Sequence, residues 1–110
     1  MPFIGQNVSD VTLKKQSDVV VKKILSTTGI VNLPEQTEAL EPGQVLITID
    51  GGETFDVAAA DAEANAILCE TLTATGVAEV LLIGVVREKY LTGFEANHKE
   101  SLFTNRIILK

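Results

Sequence analysis

A mainly β, single-domain fold is what this sequence predicts, and three stretches predict it. β-Branched residues crowd DVVVKKILSTTGIVNL (18–33), VLITIDGGETFDV (45–57) alternates apolar and polar residues about an acidic, glycine-rich tip, and EVLLIGVVREKYL (79–91) is apolar on both parities at its start. Branching at Cβ suits a pleated surface, and alternation suits a strand with one buried face. A continuous apolar run suits a strand covered on both faces. With 110 residues the chain can close one core and hardly two.

Taken in order, residues 1–17, MPFIGQNVSDVTLKKQS, mix isolated apolar residues with turn formers and are expected to form an extended N-terminal arm, with a β-rich domain over 18–110. The valine-rich stretch predicts a hairpin that turns at Thr28-Gly29. PEQTEALEPG (34–43) is polar and bracketed by prolines, so an exposed connection ending in a turn at Pro42-Gly43 should follow. In the 45–57 hairpin, a two-residue loop would set Ile47 against Asp56. A three-residue loop, Asp50-Gly51-Gly52, pairs Ile47 with Phe55 and Val45 with Val57 and is the expected register.

VAAADAEANAILCETL is open to two readings, because Ala60, Ala64, Ile67, Leu68 and Leu72 fit a helical stripe while Ile67-Leu68-Cys69 is strand-like. The 79–91 stretch should be the core strand, and Gly84 inside it points to a bulge or a close backbone approach. GFEANHKESLF predicts one short C-terminal helix before a last strand in NRIILK.

Composition excludes several functions. A formal charge of −6 with basic residues scattered in pairs, four Phe, one Tyr and no Trp offers neither a phosphate-binding surface nor a stacking platform, so no nucleic-acid partner is expected. No stretch reaches the roughly 18 to 20 apolar residues of a membrane span, and the N-terminus lacks a secretory pattern, so no membrane is expected either. The single cysteine, Cys69, allows no internal disulfide and no cysteine-based zinc site.

Residues able to carry chemistry are few. Asp50, Glu53 and Asp56 offer oxygens at the tip, fewer than a calcium loop needs, and the expectation is a solvated turn with no metal. Asp61, Glu63 and Glu70 form a second acidic group, expected to solubilise the surface. The only nucleophilic pair in the inventory is Cys69 with His98, but Cys69 lies in an apolar run that suits a buried thiol, and His98 in EANHKES should be exposed. Lys14-Lys15 and Lys22-Lys23 suit an edge strand kept soluble, or contact with an acidic partner. EPGQVLITIDGG also resembles a segment of biotinyl or lipoyl carrier domains, yet the tip has no lysine to modify. No catalytic residue and no cofactor is expected.

From residue 41 onward, EPGQVLITIDGGETFDV, AAADAEANAILCETLTATG, EVLLIGVVREKYL and GFEANHKESLFTNRIILK resemble, in that order, parts of the lambda-type bacteriophage head decoration protein D family. The N-terminal half is longer and richer in valine than that family's. The resemblance implies a small bent-ribbon, β-clip-like domain that acts without chemistry as a homotrimer on the outer surface of an icosahedral capsid, in the virion. Its partner would be the major capsid protein. It further implies that the arm, here Phe3, Ile4, Val8, Val11 and Leu13, adds backbone hydrogen bonds to capsid strands, many weak contacts acting together. A different virion attachment module, such as a head-fibre base, is the alternative, and a carrier-type β domain is a more distant one.

Overall fold

The computed structural model describes residues 15–110. A short helical turn, α1 (Gln16–Val19), enters strand β1 (Val20–Val31), followed by β2 (Val45–Ile47), β3 (Thr54–Val57), β4 (Ala66–Leu68) and β5 (Gly76–Val86). A 3₁₀ turn (Glu88–Tyr90), helix α2 (Ala96–Thr104) and strand β6 (Ile107–Leu109) complete it. The protein is mainly β, with one six-stranded sheet and one short C-terminal helix, in keeping with the sequence.

Strand neighbours run β1-β3-β2-β4-β5-β6, and β1 also pairs with β5, so the first five strands close a ring. The spine is the antiparallel β1–β5 ribbon, with Val20 opposite Val86 at one end and Val31 opposite Gly76 at the other. A strand of that length spans about 40 Å, most of the molecule's 47 Å long dimension. Register shifts between Val20 and Lys22 and again between Lys23 and Ser26 mark bulges, which bend the ribbon. Gly84 lies opposite Lys23, and a Cβ there would collide with the Lys22 carbonyl, so this glycine does serve a close backbone approach.

Two cores flank the sheet. Inside the ring, one parity of each strand contributes Val31, Leu46, Phe55, Leu68 and Val80. Outside it, the other parity packs Val45, Ile67 and Leu81 against Val19, Leu102 and Ile107 from α1, α2 and β6. This arrangement corrects the hairpin register: Leu46 faces Val57 and Ile47 faces Asp56. Because β2 lies between β3 and β4 with both faces covered, Val45 and Ile47 bury in the outer core without help from Phe55 and Val57, which join Leu46 inside. Asp56 points outward and accepts a 2.9 Å bond from the Asn32 amide.

The expected turn at Thr28-Gly29 is absent, and β1 runs straight through it. The glycine is there for packing, since a Cβ at Gly29 would lie 2.7 Å from Cε1 of Phe55. In the 58–70 stretch the strand reading holds. Ala66, Ile67, Leu68 and Cys69 are buried on successive parities between β2 and β5, a burial pattern that no one-faced helix provides. Asn65 prolongs the β2–β4 pairing through its side chain, accepting from Thr48 N–H (3.0 Å) and donating to Thr48 C=O (3.1 Å). The 34–43 connection is exposed as far as Ala39. Leu40 then bonds Leu72 reciprocally, and the turn at Pro42-Gly43 forms with Gly43 at φ 99° but is buried.

Candidate functional site

Of the three acids at the tip, Asp50 spends its oxygens on its own loop. Asp50 Oδ1 accepts from Thr54 N–H (2.9 Å), Glu53 N–H (3.1 Å) and Thr48 Oγ1 (3.0 Å), while Oδ2 accepts from Thr54 Oγ1 (2.6 Å). Thr48 Oγ1 in turn accepts from Gly52 N–H. Gly51 and Gly52, at φ 78° and 98°, supply the left-handed conformations that let those N–H groups converge. The Thr54 hydroxyl, followed by the Thr54 N–H, holds the Asp50 carboxyl down at about 2. Among the described residues no three His, Cys, Asp or Glu side chains are grouped to hold a metal ion.

The second acidic group is divided. Glu70 accepts the Glu79 N–H at 2.6 Å, Glu63 lies beside Asn97 and Ser101 of α2, and Asp61 stands exposed in the turn before β4. Glu79 is a junction that sequence reasoning missed. Its carboxylate accepts from Gln16 Nε2 (3.0 Å), Ser26 Oγ (3.0 Å) and Lys23 Nζ (2.6 Å), fastening α1 to the β1–β5 ribbon. The Lys23 bond is the main reason the Glu79 carboxyl is lowered and the Lys23 ammonium raised.

Cys69 and His98 do not form a pair. Burial pushes the Cys69 thiol up to about 12, and its Sγ lies 3.7 Å from Ile67 C=O. His98 is fully buried rather than exposed. Helix α2 sits on the 58–65 loop, where His98 Nε2 meets Ala59 C=O at 2.8 Å and Asn97 Nδ2 meets Ala60 C=O at 3.0 Å. His98 Nδ1 accepts from Glu95 N–H at 3.1 Å, so Nε2 carries the proton. With His98 N–H donating to Glu95 C=O, the imidazole fills the place a Glu or Gln takes in a capping box. A Phe94 edge contact at 6.3 Å closes the pocket.

What remains open is surface. Only Ile30 and Val31 of β1 pair with β3, so among the described residues the strand's outer edge over 20–28 has no ladder partner. Beside that edge, Ile24 (59% exposed) and Phe103 (66%) flank a shallow groove completed by Ile83, Val85, Arg106 and Ile108. An adjoining groove shares Phe103 and Ile108 and brings in Lys99 and Glu100. At the other end of the spine, Ile30 (43%) and Val77 (69%) stand opposite one another on the outside of the ring.

Charge divides along the same axis. No Lys or Arg stands between Lys23 and Arg87, a stretch holding ten of the chain's fifteen acidic residues. Glu53 and Asp56 of that stretch lie at the ring end, beside Ile30 and Val31, whereas Lys22, Arg87, Arg106 and Lys110 stand toward the opposite one and Glu63 lies against α2. The gap in basic residues was the sequence signal for this polarity, masked by the local pairing of lysines.

Phe3, Ile4, Val8, Val11 and Leu13, expected to bind a capsid, lie outside the described residues. No described helix is long and apolar enough to cross a membrane. Compared with known proteins, the chain matches no family model, no curated protein and no solved structure.

Proposed function

We propose that this chain is a phage head decoration protein, a non-enzymatic trimer that binds the exterior of an icosahedral capsid and reinforces it by linking neighbouring major capsid subunits. The observation that carries the reading is the order of elements after residue 41: paired β2 and β3, a connection into β4, a long central β5, a short helix and a closing strand. That is the order the family resemblance implies. The edge of β1 that has no ladder partner among the described residues supports it further, because an open edge accepts a strand from a partner. Apolar burial at the contact would supply the binding energy, at roughly 25 cal/mol per Å² before association costs.

Heating undecorated capsids with and without the purified protein tests the proposal. Decorated shells should survive to higher temperature, and binding without such a gain would refute the reinforcing role. Attachment at a unique vertex would instead mark a head-fibre base. Deleting residues 1–14, which spares the Gln16 bond to Glu79, should weaken capsid binding and leave the fold intact. Unchanged affinity would refute the arm mechanism.

A further inference from the structure

We infer that copies of this chain associate head to tail, the basic apolar face of one copy seating on the acidic apolar face of the next. The inference gives the proposed trimer its contact and rests on that reading only for the number of copies.

Each face combines exposed apolar side chains with an excess of one sign of charge. The basic face presents Ile24, Phe103 and Ile108, with Arg106 lining the same groove and Lys22 two positions before Ile24 on β1. Lys99 lines the adjoining groove, where Glu100 is the acid present. The acidic face presents Ile30 and Val77 side by side. Glu53 adjoins them, since its carbonyl accepts the Ile30 N–H, and Asp56 lies two residues beyond Thr54, the β3 partner of Ile30.

A two-fold axis passing through either face would set that face against itself, Lys22 and Arg106 facing their own copies or Glu53 and Asp56 facing theirs, and like charges across a contact are repulsive. Joining unlike faces removes that repulsion while burying both apolar sets. When each copy meets one neighbour through its basic face and another through its acidic face, the contact is heterologous, and such contacts close into rings when the rotation permits. The faces lie toward opposite ends of the β1–β5 spine, so one copy can engage a neighbour at each end.

Sedimentation of the full-length chain tests the contact through two charge reversals, K22E with R106E on the basic face and E53K with D56K on the acidic one. Each pair alone should weaken association about tenfold or more, and the four changes together, which exchange the signs of the two faces, should restore it. A four-fold variant that is folded by circular dichroism yet monomeric overturns the proposal. So does a wild-type chain that is monomeric at every concentration, or one indifferent to either pair. Should a variant fail to fold, salt decides: in about 1 M NaCl, where the Debye length falls to about 3 Å, wild-type association should weaken, and a salt-indifferent oligomer overturns the contact. Capsid stabilisation is a separate readout. A chain that reinforces capsids but fails the exchange loses only the head-to-tail contact, and one that passes the exchange but leaves capsids unchanged loses only the decoration role.

Discussion

The two ends of the β1–β5 spine are built from similar residues to different effect. Where Val31 faces Gly76, β1 is paired on both edges and Phe55 fills the space inside the ring. Where Val20 faces Val86, β1 is paired on one edge among the described residues, and Ile24 looks outward beside Phe103. A phenylalanine therefore holds the fold together at one end and is offered to solvent at the other. Stability should concentrate in the ring, leaving the open end's apolar groups for contact with another surface.

The largest test exchanges the two aromatics. Phe55 is fully buried, so Phe55→Ala should cost about 3–5 kcal/mol in chemical denaturation. Phe103→Ala should change stability by less than about 0.5 kcal/mol and show its effect in association instead. Equal losses at both sites would erase the contrast between the ends.

Glycines provide the next test, because each end has one pressed against a neighbour. At the open end, Gly84→Ala drives a methyl into the backbone of Lys22. At the closed end, Gly29→Ala meets Phe55, a ring that can tilt, and the Gly52 carbonyl at 3.0 Å. Both should destabilise by about 1–3 kcal/mol, with Gly84→Ala the worse. Gly76, whose added Cβ would meet nothing closer than 3.9 Å, is the control and should accept alanine with little change in denaturation midpoint.

This contrast also explains what could be read from the sequence. Strands covered on both faces announced themselves where the apolar run was long, as in β5. The three-residue β2 carries the same property in too few residues to separate from simple alternation, so its register is not legible from the sequence. Gly29 reads as a turn because its real constraint, the Phe55 ring, comes from 26 positions along the chain. His98 looked solvent-facing among the polar residues of EANHKES. Its burial depends on a loop nearly forty residues earlier, whose carbonyl it bonds. Local chemistry was legible, whereas partners supplied by tertiary packing were not.

His98 allows the helix cap to be separated from the packing. His98→Ala removes the acceptor for Glu95 N–H and the donor to Ala59 C=O together, and should lower stability by about 1–3 kcal/mol. His98→Gln keeps a side chain able to reach back to Glu95 N–H, as in a capping box, and should recover part of that loss. Thermal denaturation of the two variants decides it, and identical losses would mean that the cap contributes nothing.

The smallest effect belongs to the tip, and pH isolates it. Asp50 is held at about 2 by the Thr54 hydroxyl and the surrounding N–H donors, below the ordinary carboxylate value of about 3.9. A carboxyl lowered in the folded state contributes stability that is present above the unfolded value and is lost as pH falls through the folded one. Asp50→Asn should therefore lower the melting temperature slightly near neutrality. The gap to the wild type should begin to close below about pH 4 and all but vanish near pH 2. A gap that stayed constant from pH 7 to pH 2 would show that the loop depends on the shape of residue 50 rather than its charge, and that the tip's oxygens are not what holds Gly51 and Gly52 in their turn.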